Sequence, residues 1–298
     1  MDSSLKPVRM AAPTDGLVLA GDAVVDLQLH TTYSDGTWAP VQLIEYLLNE
    51  HFALAAITDH DRPDSVPSIL KLGAERGLPL LAAVEMSTSW RGEATDVLCY
   101  GFAPEKPGWA DLLSLAQDVV SRQNRITQEV YEKLLQAGYE FPREQEVLKQ
   151  KVGEPLGSND LGLLLLRHGY STGPGSIGKI MTDAGFYFAQ NDIAVVVDAA
   201  HRSGAVCLIA HPGRGGEFTR FDAGLLDELR CEVPIDGIEA HYPMHTAEQV
   251  ALYLEYARSH ELLVSSGSDS HGPEKPPVKY RAQLSRQLLE RLGLQVEQ

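Results

Sequence analysis

Histidines and carboxylates recur along this chain in short clusters. Asp26-Leu27-Gln28-Leu29-His30-Thr31-Thr32-Tyr33-Ser34-Asp35-Gly36 is followed by Thr58-Asp59-His60-Asp61, and Ser268-Asp269-Ser270-His271 lies near the C-terminus. Glu85, Asp96 and His211 fall between them. Imidazole nitrogen and carboxylate oxygen, without a cysteine cluster, suit Zn, Mn or Fe(II). In a strand the side chains of Asp26, Gln28 and His30 project to one side, because the period is two, so they can converge on one site. The chemistry implied is that of a hydrolytic metalloenzyme.

Each cluster ends or follows an apolar run. These runs are Val24 to Leu29, Leu54 to Ile57, Leu80 to Val84 before Glu85, Val206 to Ala210 before His211, and Leu262 to Val264 before Asp269. Ligands that arrive at one rim from several strand ends require a closed or nearly closed sheet. Helix signals alternate with these strands. Pro40 opens a helix carrying Val41, Ile44, Leu47 and Leu48 on one face, another passes through Ile69 and Leu70 to Gly77, and a third runs from Thr246 to His260. Val97 to Tyr100 and Gly237 to Ala240 read as further strands. Between the two βα portions the rhythm changes. Trp109 to about Gly138 reads as one or two long amphipathic helices, and Asp160 to His168, Gly175 to Ala184 and Asp192 to Ser203 as more helix. The expected organisation is a leader over 1–21, a barrel domain over 22–108 and 191–298, and a helical insertion over 109–190.

Composition removes several function classes. The chain has 298 residues and a formal charge of −16, which repels a nucleic-acid duplex or an anionic membrane. Cys99 and Cys207 lie in apolar runs, and with Cys231 they form an odd set without metal or redox spacing, so buried thiols in a reducing cytoplasm are expected. No apolar stretch reaches the ~20 residues needed to span a bilayer, and Met1 to Ala12 lacks a signal-peptide core. Nothing in the sequence marks an oligomeric state.

The ordered motifs resemble the polymerase-and-histidinol-phosphatase (PHP) superfamily, in its nucleotide-phosphatase-like branch with an inserted helical cap. They are His30-Thr31 with Ser34-Asp35-Gly36, Ile57-Thr58-Asp59-His60-Asp61, Val84-Glu85-Met86-Ser87, Ala210-His211-Pro212-Gly213-Arg214 and Gly267-Ser268-Asp269-Ser270-His271. The resemblance covers about Asp22 to Gly272 and implies an α/β fold, a distorted (β/α)7 barrel with an α-helical insertion as its cap, and two to three divalent metal ions. Carried over by motif, one ion would use Gln28, His30, Glu85 and Asp269. A second would share Glu85 with Asp96 and His211, and a third would use Asp35, His60 and His271. The chain departs from the family by having Gln28 and Asp96 where histidine is usual, and Gly157-Ser158-Asn159-Asp160 where the cap usually carries Gly-Arg-Pro-His. Oxygen in place of nitrogen at two positions favours Mn, Fe or Mg over Zn.

The activity so implied is metal-dependent hydrolysis of a small phosphate monoester, a nucleotide by preference, with metal-activated hydroxide attacking phosphorus. Asp59 and Asp61 are expected to hold the ligand histidines by hydrogen bonds, with Asp59 counted in the catalytic set. Arg214, three residues after His211, is expected to grip the phosphoryl group, with Arg122 and Arg125 as weaker candidates. His51, His168, His201 and His260 read as surface or structural, while His241 and His245 could line the rim. The alternatives are a metal-dependent C–N hydrolase, for which the Gln-x-His opening and the lack of a suitably placed lysine are poor matches, and a PHP-derived metal-binding module without catalysis.

Overall fold

The computed structural model describes residues 14, 16–148, 155–216 and 218–297. Most of the leader expected over 1–21 lies outside the described residues. Its end is built in, since Val18–Leu19 pairs in parallel with Gln295–Val296.

The chain is a mixed α/β protein that divides into two compact units, residues 1–113 with 192–298, and residues 114–191. In the first unit the strands that carry the site are β1 (Val24–Leu29), β2 (Leu54–Ile57), β3 (Ala83–Met86), β4 (Val97–Tyr100), β5 (Val206–Ile209), β6 (Gly237–His241) and β7 (Leu263–Ser266). They lie in two sheets. A five-stranded sheet has the order β7-β6-β5-β4-β3, and a four-stranded sheet runs Tyr280–Arg281, β1, β2, Leu80–Leu81. The β5, β6 and β7 pairings are parallel, as is β1 with β2, whereas β4 is antiparallel to both β3 and β5. Strands β2, β4 and β5 are buried at every residue, which explains why they read as unbroken apolar runs and not as alternating ones.

Among the described residues no continuous ladder joins the sheets into a ring; single bridges at Leu29 with Ser270 and at His60 with Glu85 connect them. The His30 amide donates to the Ser270 carbonyl at 2.9 Å, and the Glu85 amide to the Thr58 carbonyl at 3.0 Å. The sheets nevertheless share one apolar interior, made by Leu27, Leu54, Ala56, Ala83, Leu98, Tyr100 and Leu208 with Leu288, Leu289 and Leu294. A second layer covers the outside of β1 and β2. Pro40–Asn49, with proline at its first turn, buries Leu43, Ile44 and Leu47, and Val66–Arg76 ends at Gly77, whose φ of 81° needs no strain without a Cβ. Sequence patterning missed the helices Ala223–Glu232 and Arg286–Arg291, which are short and weakly periodic.

The second unit has its own core. Trp109–Gln136 is one helix of 28 residues that passes from the first unit into the second. Its Val119, Ile126, Val130 and Leu134 recur at helical spacing and pack with Leu161, Leu164, Leu165 and Met181 from the following helices. Arg122, a weaker candidate for anion binding, is committed within this unit to Asp118 at 2.7 Å, the Gln190 carbonyl at 3.0 Å and Asn191 Oδ1 at 2.7 Å. Asp160 starts the helix Ser158–Arg167, where its carboxylate accepts from the Gly157 amide at 2.9 Å. Among the described residues no helix is long and apolar enough to cross a membrane.

Candidate metal centre

The site is built on the seams between the two sheets, at the ends of the strands. β1 departs from its regular phase first. Asp26 pairs with Ala55 and Leu29 with Ile57, so β1 carries one more residue than β2 between these points. The extra residue breaks the period of two, and the expectation that Asp26, Gln28 and His30 share one face therefore fails for Asp26. Its carboxylate instead accepts from the amides of Ser268 and Val278, each at 2.9 Å, and from that of Gln28 at 3.3 Å. Asp26 thus anchors the loops after β7, while Gln28 and His30 reach the site.

Glu85 is at the centre. It is fully buried, and its Oε2 lies 2.8 Å from Gln28 Nε2, 3.0 Å from His30 Nε2 and 3.8 Å from His60 Nε2. Its Oε1 is 3.0 Å from His211 Nε2. Asp269 Oδ1 lies 3.2 Å from His30 Nε2 and 3.5 Å from His271 Nδ1. His271 Nε2 meets Asp35 Oδ2 at 3.0 Å, and its Nδ1 is 2.9 Å from the Asp269 carbonyl. Potential ligand atoms converge in three overlapping sets within 4.8 Å: His30, Asp35, His60 and His271; His30, Glu85 and Asp269; and His60, Glu85 and Asp96. Asp61, His211 and Asp269 hold left-handed φ angles of 53°, 29° and 54°. Non-glycine residues there cost on the order of 1 kcal/mol each, and such strain concentrates at functional sites.

The aspartates next to His60 act differently from the sequence expectation. Among the described residues Asp59 bonds to no histidine; it accepts from the Thr31 amide, the Thr31 hydroxyl and the Ser34 hydroxyl, all at 2.7 Å, and so fixes the loop that carries Asp35. Asp61 accepts from the Ser87 amide at 3.0 Å. Patterning also missed Glu239 in β6, whose Oε2 accepts from the His211 amide at 3.0 Å, and Tyr242, whose hydroxyl lies 3.4 Å from Asp269 Oδ2. A lone glutamate in an apolar strand was the available signal for Glu239. His168 and His201 make structural contacts, with the Leu164 carbonyl at 2.8 Å and Asp236 at 2.7 Å. Arg214 stands 3.8 Å from Asp269 and stacks over Phe218 at 4.3 Å, with its side chain 37% exposed.

Burial and mutual charge set the protonation of this cluster. Burial lifts Asp96 to about 7, aided by Glu85, and lifts Asp61 to about 6. Burial works against the charge on Glu85 too, but His60, His211 and His30 outweigh it and hold its pKa well below the ordinary range. The imidazoles show the reverse. Burial disfavours their charge, yet Asp269 and Glu85 keep His30 well above its usual value, and Glu85 with Asp35 raises His60 to about 9. Such a cluster demands positive charge between its carboxylates. A divalent ion fits that demand on two grounds. Bonds of about 2.1 Å leave roughly 3.0–3.4 Å between neighbouring ligand atoms, which matches the 3.0 Å and 3.2 Å separations here. His30 Nε2 and Asp269 Oδ1 are buried yet aligned for no hydrogen bond, as atoms aimed at a common cation would be.

No family model matches the chain. It is 26% identical over 261 residues to a 3',5'-nucleoside bisphosphate phosphatase of Chromobacterium violaceum, covering 84% of this chain and 88% of that protein. It is also 26% identical over 260 residues to a phosphoribosyl 1,2-cyclic phosphate 1,2-diphosphodiesterase of Eggerthella lenta, covering 84% and 94%. A 5'-3' exoribonuclease of Haemophilus influenzae is 25% identical over 252 residues, covering 83% and 90%. Two solved structures share the fold. A protein assigned as a metal-dependent phosphoesterase from Bifidobacterium adolescentis superposes with a TM-score of 0.73 at 23% identity, over 90% of this chain and 96% of that one. An amidohydrolase of Chromobacterium violaceum gives 0.71 at 23% identity, over 86% and 90%.

Proposed function

We infer that this chain is a metal-dependent phosphoesterase of the polymerase-and-histidinol-phosphatase superfamily, and on that premise that it hydrolyses a small phosphate monoester, with a nucleotide as the leading candidate. The observation that carries the reading is the buried set around Glu85, in which imidazoles and carboxylates from opposite sheets meet at ligand spacing. The single bridges between the sheets, together with their shared apolar interior, support a distorted (β/α)7 barrel, and the separate compact unit supports residues 109–190 as an insertion in it. The named activities of the relatives, on a nucleoside bisphosphate, a phosphoribosyl cyclic phosphate and RNA, support a phosphorylated ribose in the substrate. Buried, unlinked Cys99 and Cys207 support a cytoplasmic setting.

His30, Asp35, His60, Glu85, Asp96, Asp269 and His271, with His211 brought in by its contact with Glu85, would hold two to three ions of Mn, Fe or Zn, with Mg also suited to the oxygen-rich positions. When bound, such ions supply the acidity that lets water attack phosphorus near neutral pH and offset the charge that builds on the phosphoryl oxygens. The chain's own residues then divide the remaining work. Gln28 directs its amide at Glu85 Oε2 and so orients that carboxylate, with its own Oε1 left for a weak neutral contact. Arg214 would offer a guanidinium edge to a phosphoryl group, with the Phe218 ring packed against it at 4.3 Å. Asp59 serves by ordering the Thr31–Ser34 turn.

A phosphate-ester panel on protein loaded with Mn, Fe or Zn tests the reading. Nucleotide turnover that stops on chelation and returns with metal is expected; failure to hydrolyse any phosphate ester would leave a metal-binding module. No lysine is buried among the described residues, which disfavours a carboxylated-lysine C–N hydrolase.

A further inference from the structure

We propose that His245 and Gln249 form a clamp on the Gly213 peptide that fixes the stance of Arg214 toward substrate phosphate, so that both are positioning residues. The proposal rests on the phosphoesterase reading of the site. His245 Nδ1 lies 3.0 Å from the Ala240 carbonyl, which can only accept, so the ring proton sits on Nδ1. Nε2 is then a bare acceptor, and the Gly213 amide donates to it at 3.0 Å. Gln249 takes the other side of the same residue, its Nε2 donating to the Gly213 carbonyl at 2.9 Å. Its Oε1 is already used, accepting from the Thr246 amide at 2.9 Å at the start of the helix Ala247–Ser259. Both polar groups of one backbone residue are thus held by side chains of a single helix terminus.

The approach leaves no room for a side chain. A Cβ at Gly213 would stand 2.6 Å from Gln249 Nε2 and 2.8 Å from His245 Cδ2, which accounts for glycine there at a φ that does not itself require it. The clamped residue lies in a tight turn. The Arg214 amide donates to the His211 carbonyl at 2.9 Å, and the His211 amide is held by Glu239 at 3.0 Å. One end of the turn is therefore set by Glu239 beside the metal cluster and the other by His245 and Gln249. Arg214 follows directly from the clamped peptide, and its guanidinium reaches Asp269 at 3.8 Å. Without those bonds to Gly213 the turn would be free to sample other orientations, and a cation that must meet a phosphoryl oxygen within hydrogen-bond reach loses affinity when it does.

Gln249→Glu isolates the clamp, because it keeps the acceptor for the Thr246 amide but turns a donor at the Gly213 carbonyl into an oxygen. His245→Phe removes the acceptor for the Gly213 amide, and His245→Gln returns one. With metal-loaded full-length protein, Gln249→Glu and His245→Phe should weaken binding of inorganic phosphate, read by calorimetry, and raise KM for the phosphate ester. Each effect should be about tenfold or more, with kcat within about threefold, and His245→Gln should recover most of the loss. On an Arg214→Ala background Gln249→Glu should add nothing to the phosphate Kd. If Gln249→Glu leaves phosphate Kd and KM unchanged, or its effect adds in full to that of Arg214→Ala, the clamp has no role in placing Arg214. Should His245→Phe fail to fold, Gln249→Glu decides alone. Phosphate binding without turnover of any ester overturns the reading of function but leaves the clamp to be judged by the Kd values; no phosphate binding by the wild type overturns both.

Discussion

Glu85 faces Gln28, His30, His60 and His211 from a fully buried position, and its neighbours divide between the candidate ion sites around it. His60→Ala or His271→Ala should each lower the divalent metal content of the purified protein, whereas Glu85→Gln should lower it further. Elemental analysis decides this, and equal content in all variants would remove His60 and His271 from the ligand set. Gln28→His combined with Asp96→His exchanges oxygen for nitrogen and should tighten Zn binding in a competitive titration against Mn. The pH dependence has a definite sign. In chelator-treated protein Asp26 and Asp96 are held at about 7, above the ordinary 3.8, so between those limits the folded state binds more protons than the unfolded chain. His60, raised from 6.5 to about 9, contributes stability that is complete below 6.5 and lost as pH rises through 9. Both terms predict a lower urea midpoint at pH 8 than at pH 5.5 without metal, while metal affinity should rise over the same interval as the ligands release protons.

At the level of elements, the site depends on close packing where two sheets meet. Gly267 follows β7, and a Cβ there would come within 2.4 Å of both Gln28 Cβ and Glu239 Oε1. Gly267→Ala should therefore cost roughly 1–3 kcal/mol in denaturant unfolding and reduce metal content with it. Asp59 ties the Thr31–Ser34 turn to the end of β2 by its three short hydrogen bonds. Asp59→Ala leaves those donors without a partner and should cost about 3 kcal/mol or more, by the same measurement. A variant as stable as wild type would return Asp59 to a chemical role.

For the whole molecule, the charge of −16 and the second unit are the features to test. A net charge of this size repels a duplex, so a mobility assay at about 50 mM salt is expected to show no retained duplex DNA, and a salt-sensitive shift would contradict that. The first unit includes the start of the long helix, anchored by Asp111 to Arg202 at 2.5 Å. Replacing residues 114–191 with a flexible linker should therefore preserve cooperative unfolding and metal content in the remainder, as expected if 109–190 is an insertion. Loss of metal in that deletion would count against it.

Much of this protein could be read from local order along the chain. Leu54–Ile57 and Val97–Tyr100 emerge as strands at the residues where their apolar runs begin and end, because strands buried on both faces leave no polar interruption, and Val24–Leu29 keeps the same bounds although Asp26 and Gln28 interrupt it. His30, His60, His211 and His271 are visible as candidates because each follows such a run, and the structure places all four beside Glu85 or Asp269. Other features depend on partners remote in sequence. The extra residue in β1 that turns Asp26 away from the site exists only relative to its pairing with β2. The work of Asp59 is set by Thr31 and Ser34, and that of Glu239 by the His211 amide. His245 could be placed near the rim by sequence, but its tautomer follows from a carbonyl on one side and the Gly213 amide on the other. Residue type and spacing determine which groups can bind metal; only tertiary packing determines what each buried polar atom faces, and desolvation makes that choice of partner decide the chemistry.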